Sequence, residues 1–162
     1  MALNDDERAF NTALFGNSGN AVTRAYIATL MQLMANVPAD LRVGVEASRA
    51  ERHAFWLDGH SVWSLSCLGA ADLEDTAIDD QAKISGGVIQ LNSASVHLAV
   101  KNRFDTQRNI TESGRVLTLR SASQDKIVLD ASPTFTGGHT RLDAFIDKVL
   151  DAIAGRQAAS TD

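Results

Sequence analysis

The chain has 162 residues, the usual size of one domain, and is long enough to bury roughly 70% of the surface that its unfolded form exposes. Hydrophobic residues make up 44% and charged residues 22%, a globular composition that argues against disorder and fibrous repeats. The net charge of −5 disfavours nucleic acid, and no run approaches the roughly 20 apolar residues of a membrane helix.

The first residues carry the acids Asp5, Asp6 and Glu7 rather than the basic and apolar stretches of a signal peptide. The single cysteine, Cys67, cannot form an internal disulfide. Both observations predict a cytoplasmic protein.

Two helices are predicted near the N-terminus. Asn4 with Glu7 three residues later is a capping box, and the apolar spacing that follows predicts a helix over 5–15. A turn-forming cluster over 16–20 precedes a second helix, which runs to about residue 34 and stops before Pro38. The second helix is apolar over most of its circumference, so we expect it between the first helix and a sheet.

The hydrophobic period changes to two at Leu41, which predicts a first strand. The runs 52–57 and 61–68 flank Asp58-Gly59, the strongest hairpin signal in the chain. Residues 72–83 are compatible with a short helix or an acidic loop, and we favour the helix.

Four more strand runs follow Gly86-Gly87. The first two, 88–91 and 95–101, flank Asn92-Ser93; the other two, 116–120 and 126–130, flank residues 121–125. The polar stretch 102–114 between the two pairs is long for a compact domain, so it is predicted to be a mobile or functional loop.

A last helix is predicted from Thr140 to Gly155, with Phe145 and Ile146 in its apolar stripe. The predicted fold is therefore α+β, with an antiparallel sheet of five to seven strands, two N-terminal helices and one C-terminal helix. We expect a single domain over 1–155 and a flexible tail over 156–162.

The sequence contains no motif that specifies a reaction. Cys67 shares a strand face with Trp63 and Leu65, so a small core residue is the better interpretation than a nucleophile. The acids of 72–80 lack the spacing of a calcium loop, and we expect neither a metal nor a cofactor.

One segment suggests an anion site, because a helix N-terminus presents free N–H groups. The candidate residues are Gly137, Gly138, His139 and Thr140. A capping threonine after a loop explains the same residues without a ligand.

Arginines and one tryptophan are the candidates for binding another protein. Both residue types dominate interface energetics when they are desolvated. The candidates are Trp56, Arg103, Arg108, Arg115 and Arg120. Trp56 could instead contact a helix, and the arginines could be ordinary solvated charges.

These observations predict a non-catalytic protein-interaction domain of adaptor, chaperone-like or inhibitor-like type. Its expected partner is another protein, with no membrane or nucleic acid, and a homo-oligomer is compatible with the sequence. Size and acidity are similar to those of small acidic chaperones of secreted proteins, although no specific residues carry that likeness. The alternative is a small-ligand domain or enzyme with a cavity between the sheet and the last helix.

Overall fold

The computed structural model describes residues 3–16, 24–48, 51–68, 83–132 and 139–160, with only the backbone given for 139 and 156–160. The helices in these ranges are α1 (Asp5–Phe15), α2 (Arg24–Leu33) and α3 (His139–Ser160), with a 3-10 turn at Ala39–Leu41. The helix predicted over 72–83 lies outside the described residues, apart from Lys83.

Seven strands form two antiparallel sheets. Their bounds are β1 Arg42–Ser48, β2 Glu51–Asp58, β3 Ser61–Leu68, β4 Lys83–Gln90, β5 Ser95–Phe104, β6 Ile110–Arg120 and β7 Lys126–Asp130. The first sheet has the order β1-β2-β3-β4 and the second has the order β5-β6-β7. The predicted α+β class, the two N-terminal helices, the C-terminal helix and the strand number are confirmed, although α3 continues to Ser160, through residues that were predicted to be part of a flexible tail.

The predicted antiparallel strands are divided between two sheets rather than joined in one. The turn at Asn92-Ser93 does not fold β4 back onto β5, because β4 pairs with β3 while β5 pairs with β6. The N–H of Leu91, just after β4, donates to the carbonyl of His60 at 2.7 Å. Because a strand's partner is non-local, alternation alone did not reveal this change of sheet.

The chain divides into two compact units. Unit 1 comprises Met1–Trp56 and Trp63–Gly87, and unit 2 comprises Leu57–Val62 and Val88–Asp162. The single domain predicted over 1–155 therefore stays a prediction, and each unit is described by itself.

The capping box at the start of α1 is confirmed. Asn4 Oδ1 accepts from the Glu7 N–H at 2.8 Å, and the Asn4 N–H donates to Glu7 Oε2 at 2.8 Å. Arg24 Nε donates to Glu7 Oε1 at 2.8 Å and so ties α2 to α1. This hydrogen bond, more than any other contact, holds the pKa of the buried Glu7 below its usual value.

The core of unit 1 joins α1 and α2 to one face of the first sheet. It contains Leu14, Phe15, Tyr26, Ile27, Leu30, Met34, Ala54, Trp56 and Cys67. Tyr26 is fully buried, and its hydroxyl donates to the carbonyl of Leu65 at 2.7 Å. Helix α2 thus contacts both α1 and the first sheet, but it does not separate them as predicted, because α1 also packs directly on β1.

Helix α1 approaches β1 closely at Gly44. A Cβ atom at this position would lie 2.6 Å from Cδ1 of Phe15 and 2.9 Å from the carbonyl oxygen of Leu14. Both distances are far below van der Waals contact, so any side chain here would push α1 away from the sheet.

We expect Gly44→Ala to destabilise the protein by about 1–3 kcal/mol, the usual cost of overpacking a core. The matched control is Gly87→Ala in β4, because a Cβ at Gly87 would meet nothing within 4 Å. Urea denaturation compares the two variants. Equal midpoints for both would contradict the close packing of α1 on β1.

In unit 2, helix α3 packs against β6 and β7. Four α3 side chains of the predicted stripe, Leu142, Phe145, Ile146 and Val149, are buried. They share unit 2 with the buried strand residues Leu117, Leu119, Ile127 and Leu129. Burial of these apolar faces is the main contribution that α3 makes to stability.

Phe145→Ala should lower the free energy of unfolding by about 3–5 kcal/mol, because it removes a large side chain from this interface. Asp151→Ala is the control, since Asp151 is an exposed residue of the same helix. Both are measured by urea denaturation. A Phe145→Ala midpoint as high as that of the control would show that the stripe does not hold α3 on the sheet.

Candidate protein-binding edge of the second sheet

The second sheet contains a long hairpin formed by β5 and β6. The two strands pair from Ser95↔Arg120 to Phe104↔Ile110, with a register shift next to Phe104. The turn between them is held by Asp105, whose Oδ1 accepts from the N–H groups of Gln107 at 2.8 Å and Asn109 at 2.9 Å. The Asn109 hydrogen bond is the main cause that holds the pKa of Asp105 below its usual value.

This hairpin corrects the predicted loop over 102–114. Only residues 105–109 form the turn, and the flanking residues belong to β5 and β6. The polar ends of both strands are exposed on both faces, so no apolar alternation marked them as strands.

β5 is an edge strand, and the hydrogen bonds of the sheet determine which of its backbone groups face outward. Ala131 N–H donates to Arg115 O, and Ser121 N–H to Asp125 O, both at 2.8 Å, so the odd residues of β6 face β7. Its even residues therefore face β5, because hydrogen-bond direction alternates along an antiparallel strand. The register pairs these even residues of β6 with the odd residues of β5, which therefore bond β6. The N–H and C=O groups that point to the open edge belong to the even residues Val96, Leu98, Val100 and Asn102.

The same strand presents apolar side chains on the α3 side of the sheet. Val96, Leu98 and Val100 lie opposite Leu119, Leu117 and Arg115 of β6 respectively. Leu117 and Leu119 are fully buried, whereas the three β5 side chains are 40%, 44% and 61% exposed. We call these three residues the apolar edge row.

The opposite face of β5 is basic. By alternation it carries His97, Lys101 and Arg103, and the strand contains no acidic residue. Lys101 Nζ lies 3.4 Å from Asp130 of β7, and Arg103 lies 3.3 Å from Glu112 of β6. Such exposed ion pairs contribute at most about 1 kcal/mol each. We call the three residues the basic row.

Arg115 fastens α3 to the sheet beside the apolar edge row. Its Nε donates to Asp143 Oδ1 at 2.8 Å, and its Nη2 to Asp143 Oδ2 at 3.0 Å and to Asp147 Oδ1 at 2.8 Å. The hydrogen bonds with Asp143, followed by that with Asp147, hold the pKa of Arg115 above its ordinary value. A predicted interface residue thus takes part in a contact between helix and sheet.

The other three predicted arginines do not converge on one point. Arg103 belongs to the basic row, and Arg108 lies in the turn of the hairpin with a φ of 65°. Arg120 is exposed at the far end of β6, where it pairs in register with Ser95 and Lys126. Because Arg103 and Arg120 lie near opposite ends of the hairpin, the structure does not form a single arginine cluster.

Trp56 lies in the core of unit 1. It is 3% exposed, and its ring stacks on that of Trp63 with the centroids 5.8 Å apart. Residues on both faces of β2 are buried next to Trp56. Alternation therefore could not show whether the face that carries Trp56 is exposed. Trp56 therefore has no place in the surface proposed below.

Two further predictions concern residues that the structure describes only in part. Gly137 and Gly138 lie outside the described residues, the backbone of His139 begins α3, and the side chain of Thr140 is exposed. The proposed anion site thus stays a prediction. Cys67 is fully buried in the unit 1 core, as a small core residue would be.

Sequence reasoning did not single out Arg52, the largest fully buried side chain in the described part of the chain. Its Nη1 donates to the carbonyls of Ser48 at 2.7 Å and Glu51 at 3.2 Å, and its Nη2 lies 3.3 Å from Glu46. Burial is the largest cause that lowers its pKa. An arginine at the start of a strand gives no sequence signal of burial, because arginines are mostly exposed.

The apolar edge row was also missed as a site. The alternation of Val96, Leu98 and Val100 predicts a strand, but the sequence does not show that α3 covers only the neighbouring strands β6 and β7. A lack of acids in the ten residues of β5, in an acidic chain, was the available signal for its basic row.

The chain matches no family model, no curated protein and no solved structure. None of the helices in the described ranges is long and apolar enough to cross a membrane. The described side chains also contain no group of three or more histidine, cysteine or acidic residues placed to hold a metal ion.

We expect Arg115→Lys to destabilise the protein by about 1–2 kcal/mol, because an ammonium group cannot reproduce the planar contacts with two carboxylates. The control is Arg120→Lys on the same strand, where the arginine is exposed. Urea denaturation at low and high salt measures both. Equal stability of the two variants would contradict the role of Arg115 in fastening α3.

Proposed function

We propose that the protein is a non-catalytic interaction domain that binds another protein through the open edge of β5. The observation that supports this proposal is the apolar edge row, three partly exposed aliphatic side chains on a strand that lies at the edge of its sheet in the described part of the chain. Of the arginines predicted from the sequence, Arg103 belongs to this surface.

An open strand edge and an apolar row provide two complementary kinds of binding energy. Unpaired N–H and C=O groups of an edge accept another strand, and the adjacent apolar side chains gain from being removed from water. Native proteins usually shorten, cover or charge such edges. β5 is long, with ten residues and no proline, and it is charged only on the face that carries Lys101 and Arg103.

The alternative, a ligand or substrate cavity between sheet and helix, receives less support. The described polar groups on the α3 side of β6 and β7 include Arg115, Asp143 and Asp147, and Arg115 binds both aspartates. Leu117, Leu129 and Phe145 in the same unit are apolar and buried. A cytoplasmic location remains part of the proposal, supported by the lone and buried Cys67.

The test is a selection of binding peptides from a random displayed library on the immobilised protein, followed by affinity measurements on variants. The variant Val96→Thr/Leu98→Thr/Val100→Thr keeps residues that suit strands but removes the apolar edge row. We expect it to bind the selected peptides at least about tenfold more weakly, equivalent to about 1.4 kcal/mol.

The matched control replaces three apolar residues of similar exposure on other strands, Ile84→Thr/Val88→Thr/Val128→Thr. It should keep affinity within about twofold of the original chain. Thermal unfolding of both variants checks that they are folded. Equal loss of binding in the two variants, or a failure to select any peptide, would contradict the proposed function.

A further inference from the structure

The partner's chemistry follows from the two faces of β5, provided that the proposed function holds. We infer that the edge of β5 accepts an extended segment whose residues alternate between apolar and acidic, and that this segment joins the second sheet as a fourth strand.

The backbone supports strand addition at this edge. Val96, Leu98 and Val100 direct both their N–H and C=O groups outward, so an added strand continues the alternating hydrogen-bond pattern of the sheet. These same residues form the apolar edge row. A segment of about seven residues covers the stretch from Val96 to Asn102.

The side chains specify the composition of that segment. In a continued sheet, successive residues of the added strand lie alternately beside the apolar edge row and beside the basic row. Apolar residues on the α3 side extend the row formed by Val96, Leu98 and Val100. Acidic residues on the other side lie next to Lys101 and Arg103, where opposite charges stabilise cross-strand pairs.

A second copy of this chain fits the edge less well. Pairing β5 with β5 would bring two copies of Lys101 and Arg103 onto one face of the joined strands, with no acidic residue from either β5 strand between them. Like charges that come to lie directly opposite one another on neighbouring strands are destabilising. The charge of the edge thus favours an acidic partner over self-association.

The experiment uses fluorescein-labelled peptides of about seven residues, which match the length of the exposed edge. One alternates valine with glutamate and its control alternates valine with lysine. Fluorescence anisotropy with the full chain should show at least about tenfold tighter binding of the glutamate peptide. In Lys101→Gln/Arg103→Gln this preference should fall to about twofold or less.

A proline variant tests the backbone part of the inference. Val100→Pro keeps an apolar side chain but removes an outward N–H, and proline is tolerated on edge strands when its nitrogen faces solvent. Val100→Ala is the matched control, since it loses the side chain and keeps the N–H. We expect the glutamate peptide to bind Val100→Pro at least about tenfold more weakly than Val100→Ala.

Amide hydrogen exchange gives a readout that does not depend on a variant. On binding the glutamate peptide, the amides of Val96, Leu98 and Val100 should gain protection. Those of Ala99 and Lys101 should change less, because they already face β6. Gains spread evenly over all five amides would contradict strand addition.

The outcomes separate this inference from the proposed function. Equal binding of the two peptides, or equal effects of Val100→Pro and Val100→Ala, overturns the inference. The proposed function is still supported in that case if the threonine variant loses binding to the selected peptides. Sedimentation that shows a dimer dissociated by Val100→Pro makes a second copy the occupant and also overturns it. A threonine variant that binds selected peptides normally removes the function itself.

Discussion

The second sheet is governed by one geometric constraint: hydrogen-bond direction alternates along an antiparallel strand, so an edge strand leaves every second N–H and C=O pair unbonded. In β6 the odd residues bond β7 and the even residues bond β5. The outward groups of β5 consequently belong to the residues whose side chains lie on the α3 side. Val96, Leu98 and Val100 therefore present both outward backbone groups and exposed apolar side chains. This combination suits the addition of a strand better than nonspecific hydrophobic contact.

The exposure of that row depends on where α3 is fixed. Apolar packing alone is non-directional and would allow α3 to slide across the sheet. Arg115 restricts this freedom, because its planar guanidinium contacts Asp143 and Asp147, one helical turn apart on α3. The helix consequently covers β6 and β7, and Val96, Leu98 and Val100 remain partly in solvent. Arg115, which was predicted to bind a partner, instead binds α3 and so contributes to the exposure of the apolar edge row.

What sequence reasoning predicted correctly depends on local interactions. The capping box of Asn4 and Glu7 and the hairpin signalled by Asp58-Gly59, whose turn residues are Gly59 and His60, involve neighbouring residues, so their signals do not require knowledge of the fold. The division into two sheets and the hairpin through residues 102–114 depend on non-local pairing, and alternation does not encode a partner. In the candidate site, Arg103 is a residue that sequence reasoning had also selected, on the basis of its residue type. Trp56 was predicted to be available for binding, because alternation assigned it to the face of the strand opposite Phe55 and Leu57. Alternation does not show that both faces of this strand are buried.

The positive charges on β5 bear on a conflict between the proposed binding and solubility. A long, apolar and open edge is a template for pairing with further copies, and a common natural defence is a charged residue on the edge strand, lysine above all. Lys101 and Arg103 provide that defence, since two β5 strands would bring like charges together on one face. This repulsion is selective, because it acts on positively charged strands and not on acidic ones. If the proposed acidic segment binds, it gains from the same two residues that repel a second β5, so resistance to self-association and the choice of partner would have a single physical origin.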